Sequence, residues 1–315
     1  MAGLDVAPSY TEAIGQQWFN LASPGPYFTG PERLSMAEII REPADAAGEP
    51  SGLALEAALK IAHRAATICP KWLDEIEHFG LPRGPYVEVV SVVSRVTAVD
   101  RFVAAVGAKL LPLPTALEGS PTGDIELAAR QRSAYVPILE PAAASTALSL
   151  LPTEASARRQ LHAAFYLDDD DMGDPDSGRE LTRPQMELLA ARTSFNNGCA
   201  YSLFAHSAML RASIDRVVER VDLRAVTDPS VDSLIRDGDV LLPFADAVAG
   251  QGDLDATRQA LVDRVGEAAT VRAAAVISTF EMMNRVLDAT GIPIPNRIRS
   301  IAPELGLRDG LLPTV

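Results

Sequence analysis

Four side chains that could carry out proton or thiol chemistry lie close together in the chain: Glu187, Cys199, Ser202 and His206. The Asn-Asn-Gly at 196–198 tolerates left-handed backbone angles and predicts a break between two helices. In the second helix, Cys199, Ser202 and His206 stand at i, i+3 and i+7, which places them on one face. Because packing of the two helices can turn Glu187 toward that face, the pattern predicts one small site holding a thiol, a hydroxyl, an imidazole and a carboxylate.

Each of these residues has a chemical interpretation and an ordinary structural one. A carboxylate that holds an imidazole is typical of general acid or base catalysis, so Glu187 and His206 indicate proton transfer. Cys199 near a helix start predicts a lowered thiol pKa, because free N–H groups and the helix dipole favour the thiolate. The alternatives are a buried cysteine, a core histidine and a surface carboxylate. We interpret the remaining histidines, which have no partner pattern, as structural or surface residues: His63, His78 and His162.

The spacing resembles the motif of the alkylhydroperoxidase D and carboxymuconolactone decarboxylase superfamily. That motif is Glu-x11-Cys-x2-Cys-x3-His, with Asn-x-Cys-x-Tyr around the first Cys. The matching residues are Glu187, Asn197, Cys199, Tyr201 and His206. The resemblance implies an all-α fold of helical bundles, catalytic roles for the motif residues, and substrate contacts from Asn197 and Tyr201. It also implies a homo-oligomer. Because the sequence shows no cluster of ligand residues, we expect no metal, and we expect no other cofactor.

Ser202 stands where the motif has its second Cys. In the redox members that the chain resembles, this Cys attacks the peroxide and the first Cys then closes a disulfide with it. Ser202 forms neither a sulfenic acid nor a disulfide, so the peroxidase reaction loses its nucleophile. A serine hydrolase is also disfavoured, because a nucleophilic Ser normally sits on a sharp turn and not inside a helix.

Three hypotheses follow for the function. The first is a cofactor-free acid–base enzyme, a lyase, isomerase or cyclase acting on a small carbonyl-containing metabolite through Glu187 and His206, with hydrogen bonds from Ser202 and Cys199. The second is a thiol-dependent antioxidant enzyme, which either uses Cys199 alone with an external reductant or has Ser202 in place of a native Cys. The third is a non-catalytic oligomeric binding protein built on a decayed enzyme.

The chain also contains an internal repeat. Residues 89–107 align without gaps on 273–291, with Asp100-Arg101 on Asn284-Arg285 and Gly107 on Gly291. Each copy is expected to be a buried helix that ends at a glycine and is stopped by prolines. This repeat predicts two tandem copies of one unit, and the resemblance implies that each is a bundle of the alkylhydroperoxidase D type.

The predicted domains are an extended N-terminal arm at 1–50, a degenerate half at 51–118 and a half carrying the site at 125–315. In the degenerate half, the helix over 53–79 is expected to copy the site helix, with Cys69 in place of Cys199. An acidic stretch at 168–178 lacks the register of a calcium loop and is interpreted as a solvated loop.

Composition excludes several classes of protein. The net charge is −14, whereas a nucleic-acid surface needs clustered Lys and Arg. The longest apolar stretch, 87–111, is interrupted by charges, and the N-terminus lacks the form of a signal peptide. The two cysteines provide no disulfide framework and no Cys-based zinc cluster. We therefore expect a soluble cytoplasmic protein that binds a small molecule and contacts neither nucleic acid nor membrane.

Overall fold

The computed structural model describes residues 3–42, 52–168, 171–172, 174, 178, 180–214 and 220–307. Within these ranges the fold is all-α, as the sequence predicts, and only an isolated bridge between Arg130 and Ile138 has β geometry. The α-helices are α1 (Pro8–Ala22), α2 (Gly30–Arg41), α3 (Leu53–Arg64), α4 (Pro70–Phe79), α5 (Arg83–Ala105), α6 (Pro152–Phe165), α7 (Arg183–Asn196), α8 (Ala200–Ile214), α9 (Gly238–Val248), α10 (Leu254–Val265), α11 (Glu267–Thr290) and α12 (Asn296–Arg299).

Local sequence signals fix where several of these helices start. Thr29 and Thr182 each form a capping box, with Glu32 and Gln185 respectively at the third helical position. In both cases a proline follows in the first turn, where its missing N–H costs no hydrogen bond. The helix that carries the candidate site, α7, therefore begins at a strongly specified residue.

The centre of the molecule is formed by α11, which is buried along almost its whole length. It packs along α5 and also contacts α3, α6, α7, α8, α9 and α10. The Tyr86 hydroxyl at the start of α5 donates to the Ala289 carbonyl at the end of α11, at 3.0 Å. The main hydrophobic cluster extends from Tyr10 to Ile292. This one core includes residues of both predicted halves, so it marks no boundary between them. The domain limits and the tandem-bundle arrangement therefore stay predictions.

The repeated segments coincide with the two long helices. In the gapless alignment Arg83 falls on Glu267, so α5 and α11 begin at equivalent positions. Gly107 and Gly291, which follow the two helices, both have left-handed φ angles, 76° and 65°. This is the conformation expected for glycines that end helices.

The aligned arginines make reciprocal contacts across the molecule. Arg101 on α5 donates to the Val248 carbonyl at the end of α9, at 3.0 Å. Arg285 on α11 donates through Nε and Nη2 to the Ala62 carbonyl near the end of α3, at 3.1 and 2.8 Å. Each long helix is therefore attached to a helix of the other half.

The prediction of an extended arm at 1–50 is wrong for the described part of that segment. It contains α1, which packs against α2, α5 and α6, and α2, which packs against α3 and α5. Pro8 and Pro31 lie in the first turns of the two helices, where a proline is readily accommodated. Residues 43–50 lie outside the described part.

Two further predictions meet the structure only in part. Residues 53–79 form two helices, α3 and α4, and Cys69 is the residue before α4. Of the acidic stretch 168–178, only 168, 171, 172, 174 and 178 are described. Among the described helices, none combines the length and the apolar composition that crossing a bilayer requires.

Candidate active site

The helix pair predicted around the motif is formed by α7 and α8, which pack against each other. The chain turns between them at Gly198, whose φ is 71°. Cys199 directly precedes α8, which carries Ser202 and His206 on buried positions, and Glu187 is fully buried on α7.

Glu187 and His206 form a buried dyad. The Nδ1 atom of His206 lies 2.7 Å from Oε2 of Glu187. This contact fixes the ring orientation and leaves Nε2 as the nitrogen available to a ligand. The ring also packs edge-on against Phe280, with ring centroids 4.2 Å apart. A carboxylate behind an imidazole favours the tautomer with its proton on Nδ1, so that Nε2 can accept a proton.

The second oxygen of Glu187 is held by two residues outside the motif. Arg183 Nε donates to Oε1 at 2.5 Å, and the Tyr166 hydroxyl donates to the same oxygen. Burial alone raises the pKa of Glu187, but His206, Arg183 and Tyr166 together outweigh it and the pKa is lowered. Glu187 is thus an ionised carboxylate inside the protein, which is the state that orients and stabilises a protonated imidazole.

His162, interpreted from sequence as structural or surface, is a second imidazole at the site. Its Nδ1 lies 2.9 Å from the Leu167 carbonyl, to which it donates, and the ring packs edge-on against Tyr166. Burial, followed by the charge of Arg158, lowers the pKa of His162 to about 3, so this ring is neutral. His162 lies in the last turn of α6 and Tyr166 follows the helix as its cap, four residues later. This i, i+4 spacing places the two side chains next to each other but does not by itself indicate the distant motif.

A cavity of about 390 Å³ opens beside the dyad. Its polar lining comes from His162, Tyr201, Ser202, His206 and Arg297. The remaining walls are apolar and include three methionines, Phe280, Leu287 and Ile298. A largely apolar cavity with a few convergent polar groups is the usual form of a small-molecule site.

Cys199 does not have the lowered thiol pKa that its position predicts. Complete burial, and then the charge of Asp288, raise the pKa of the thiol well above its ordinary value, despite hydrogen bonds from Ser202. For a sulfur that is buried away from water, the cost of ionisation exceeds the stabilisation of the thiolate by a helix N-terminus. Cys199 also lies outside the cavity lining, behind Ser202.

Asp288 on α11 is a buried carboxyl that the motif does not contain. Burial raises its pKa to about 7, although the contact with Cys199 and the charge of Arg285 oppose the shift. Its Oδ2 atom is buried and has no hydrogen-bond partner in the described part of the protein.

Of the two residues expected to contact substrate, only one lines the cavity. Tyr201 lines the cavity, whereas Asn197 donates to Oε1 of Glu281 on α11 at 3.1 Å. Asn197 therefore fastens the end of α7 to the central helix. In the ranges that the structure describes, no group of three or more His, Cys, Asp or Glu is placed to hold a metal ion.

Comparison of the chain with protein-family models, with curated proteins and with solved structures found no match. The similarity to the alkylhydroperoxidase D superfamily consequently rests on the motif residues and their spacing.

Proposed function

We propose that the protein is a cofactor-free acid–base enzyme that acts on a small carbonyl-containing metabolite, of the type of the carboxymuconolactone decarboxylases. The observation that carries this proposal is the buried Glu187–His206 dyad, 2.7 Å apart, whose imidazole lines a cavity. Such a dyad provides a positioned base and, after one transfer, a positioned acid.

The proposed chemistry is a proton transfer next to a carbonyl. Nε2 of His206 removes a proton from the carbon adjacent to the carbonyl. The electron pair of that C–H bond forms a C=C bond to the carbonyl carbon, and the π pair of the carbonyl moves onto its oxygen. The Ser202 hydroxyl, which lines the same cavity, donates a hydrogen bond to the developing oxyanion. The imidazolium, stabilised by Glu187, then returns the proton to a carbon, which completes an isomerisation, a cyclisation or the protonation step of a lyase.

The thiol-dependent alternative has less support. A peroxide-reducing thiol has to be accessible and readily ionised. Cys199 is fully buried, and its pKa is raised by burial and by Asp288. The single-thiol reaction therefore lacks both conditions at this residue.

The test is exchange of carbon-bound hydrogen for deuterium in a panel of small lactones and keto acids, followed by proton NMR. We expect at least one compound to exchange faster with the wild type than without protein. His206→Gln should abolish that acceleration, whereas His63→Gln, a change outside the cavity lining, should preserve it. Exchange that survives in His206→Gln, or turnover confined to hydroperoxides and lost in Cys199→Ala, would contradict the proposal. A panel without any accelerated compound favours the non-catalytic binding protein.

A further inference from the structure

The charges around the cavity differ from those of the whole chain. The protein carries a net charge of −14, yet no Asp or Glu is among the described residues that line the cavity. Glu187 lies behind His206 and is neutralised by Arg183, and Asp288 lies behind Cys199. The group with a permanent charge in the lining is Arg297.

Arg297 lies on α12, a short helix at the exposed edge of the cavity. No ion pair joins its guanidinium to a carboxylate within the described residues. Its charge still reaches the cavity wall, where it opposes the rise in the pKa of Tyr201 that burial causes. A guanidinium without a protein partner is a ready site for a carboxylate, which it can bind through two parallel hydrogen bonds.

In contrast to the charged edge at Arg297, the interior of the cavity is mainly apolar. Met172, Met209 and Met283 contribute flexible and polarisable walls, and Phe280 contributes an aromatic face. Methionine-rich walls adapt to apolar groups of different shapes. The volume of about 390 Å³ suits a metabolite and is too small for a peptide or a dinucleotide.

We propose that the ligand of this cavity is a monocarboxylic acid with an apolar body, its carboxylate at Arg297 and its apolar part between the methionines and Phe280. The proposal deepens the acid–base function and rests on it for the statement that the ligand is a substrate. A single cation at the edge favours one negative charge, because a second carboxylate inside the apolar walls would be buried without a partner. The acidic surface elsewhere on the protein disfavours binding of the same anion outside the cavity.

The test uses three probes with the same apolar body: 4-phenylbutyrate, 4-phenyl-1-butanol and 4-phenylbutylamine. Isothermal titration calorimetry should show the acid binding wild type most tightly and the amine most weakly. Arg297→Gln should weaken binding of the acid by about three- to tenfold, the range expected for a charge pair at a cavity edge, and leave the alcohol unchanged. Arg299→Gln is the matched control, because Arg299 is an exposed arginine of the same helix outside the lining, and it should change neither.

A second variant locates the binding. Ala208→Phe places a ring in the cavity and should weaken the acid and the alcohol together. Equal affinity of wild type for acid and alcohol, equal effects of Arg297→Gln and Arg299→Gln, or no binding of any probe would each overturn the inference. Since the titrations need no turnover, a probe series that behaves as expected beside a failed exchange assay would reject the acid–base function and keep the ligand class.

Discussion

The positions of the His206 and Glu187 side chains depend on residues that the motif does not contain. Tyr166 comes from the end of α6, and Arg183 is the first residue of α7, one turn before Glu187. The position of His206 on one face with Cys199 and Ser202 could be predicted, since i, i+3 and i+7 spacing on one helix is a local property of the sequence. Its contact with Glu187 was expected from packing of two consecutive helices, α7 and α8. The contributions of Tyr166 and His162 could not be predicted, because residues 167–182 separate them from α7 and only tertiary packing brings them to the motif.

The pKa of Cys199 shows the same limit. Its place before α8 was predictable, and by itself it favours the thiolate. The thiol pKa is raised instead, first by complete burial and then by the charge of Asp288, which lies on α11 far along the chain. A local sequence pattern therefore located this thiol without indicating its reactivity.

Asp288 should make the stability of the protein depend on pH. Its folded pKa of about 7 lies above the ordinary value of 3.8, so the folded state holds a proton that the unfolded state has lost between these values. Stability attributable to this group consequently falls as pH rises from about 4 to 7, by up to about 4 kcal/mol. Asp288→Asn should remove this dependence, and its free energy of unfolding relative to wild type should rise by about 2–4 kcal/mol between pH 4 and pH 8. Urea titrations at the two pH values measure the difference, and parallel curves for the two proteins would refute the assignment.

Ser202→Cys should restore the thiol pair of the motif. Cys199 already receives hydrogen bonds from Ser202, so sulfur at position 202 would lie next to it. Residues at i and i+3 across a first helical turn have Cα atoms near the upper limit for a disulfide. In a Cys69→Ser background, which removes the exposed thiol, hydrogen peroxide should convert two free thiols into one intrachain disulfide. Mass spectrometry after alkylation detects this product; two sulfonic acids without a cross-link would count against it.

At the scale of the helices, a buried ion network holds α2, α5 and α6 together. Glu154 on α6 accepts from Arg33 at 2.8 Å and from Arg95 at 2.5 Å, and Ser91 donates to it at 2.6 Å. Glu88 on α5 pairs with Arg33 at 2.5 Å and completes a balanced set of two acids and two bases. Burial raises the pKa of Glu154, but the two arginines and Ser91 outweigh it and lower the value to about 2.

Removing one acid from this network should be costly. Glu154→Gln leaves Arg33 and Arg95 with one carboxylate between them, and loss of one partner of a buried pair costs about 3–5 kcal/mol. Since the folded pKa lies below 4.5, the stabilisation by Glu154 is complete above that pH and disappears as pH falls toward 2. Guanidinium denaturation at pH 7 and pH 3 should give a larger deficit at pH 7. Glu304→Gln, which breaks an exposed pair with Arg211, should cost less than about 1 kcal/mol, and a similar cost for both variants would disprove the network's role.

The order of the helices does not support the predicted correspondence between Cys69 and Cys199. At the offset that aligns α5 with α11, α4 aligns with α10, and Cys69 falls on Asp253, the residue before α10. Cys69 was instead predicted to correspond to Cys199. A cysteine at a helix start is a weak marker, whereas the glycine ends and the reciprocal arginines fix the register of the long helices. At the same offset α8 falls on residues 16–30, which comprise the end of α1 and the segment that leads into α2.

For the molecule as a whole, the shared core predicts a single unfolding event. Both halves contribute to one hydrophobic cluster, and Arg101 and Arg285 each contact a helix of the other half. Neither half can expose its side of the α5–α11 contact without losing much of its buried apolar surface. Differential scanning calorimetry should therefore give one transition with equal calorimetric and van't Hoff enthalpies. Two resolved transitions would show that the halves fold independently.

The contacts of Arg101 and Arg285 have a consequence for how the protein responds to dilution. Two surfaces that bury each other and belong to one polypeptide associate as a unimolecular process, at an effective concentration set by the chain between them. If they were separate subunits, mass action would drive them apart at low concentration. Here α5, α11 and the helices that their arginines contact belong to one chain, so they stay together at any concentration of the protein. A substitution in one half therefore needs no compensating substitution in an identical partner subunit.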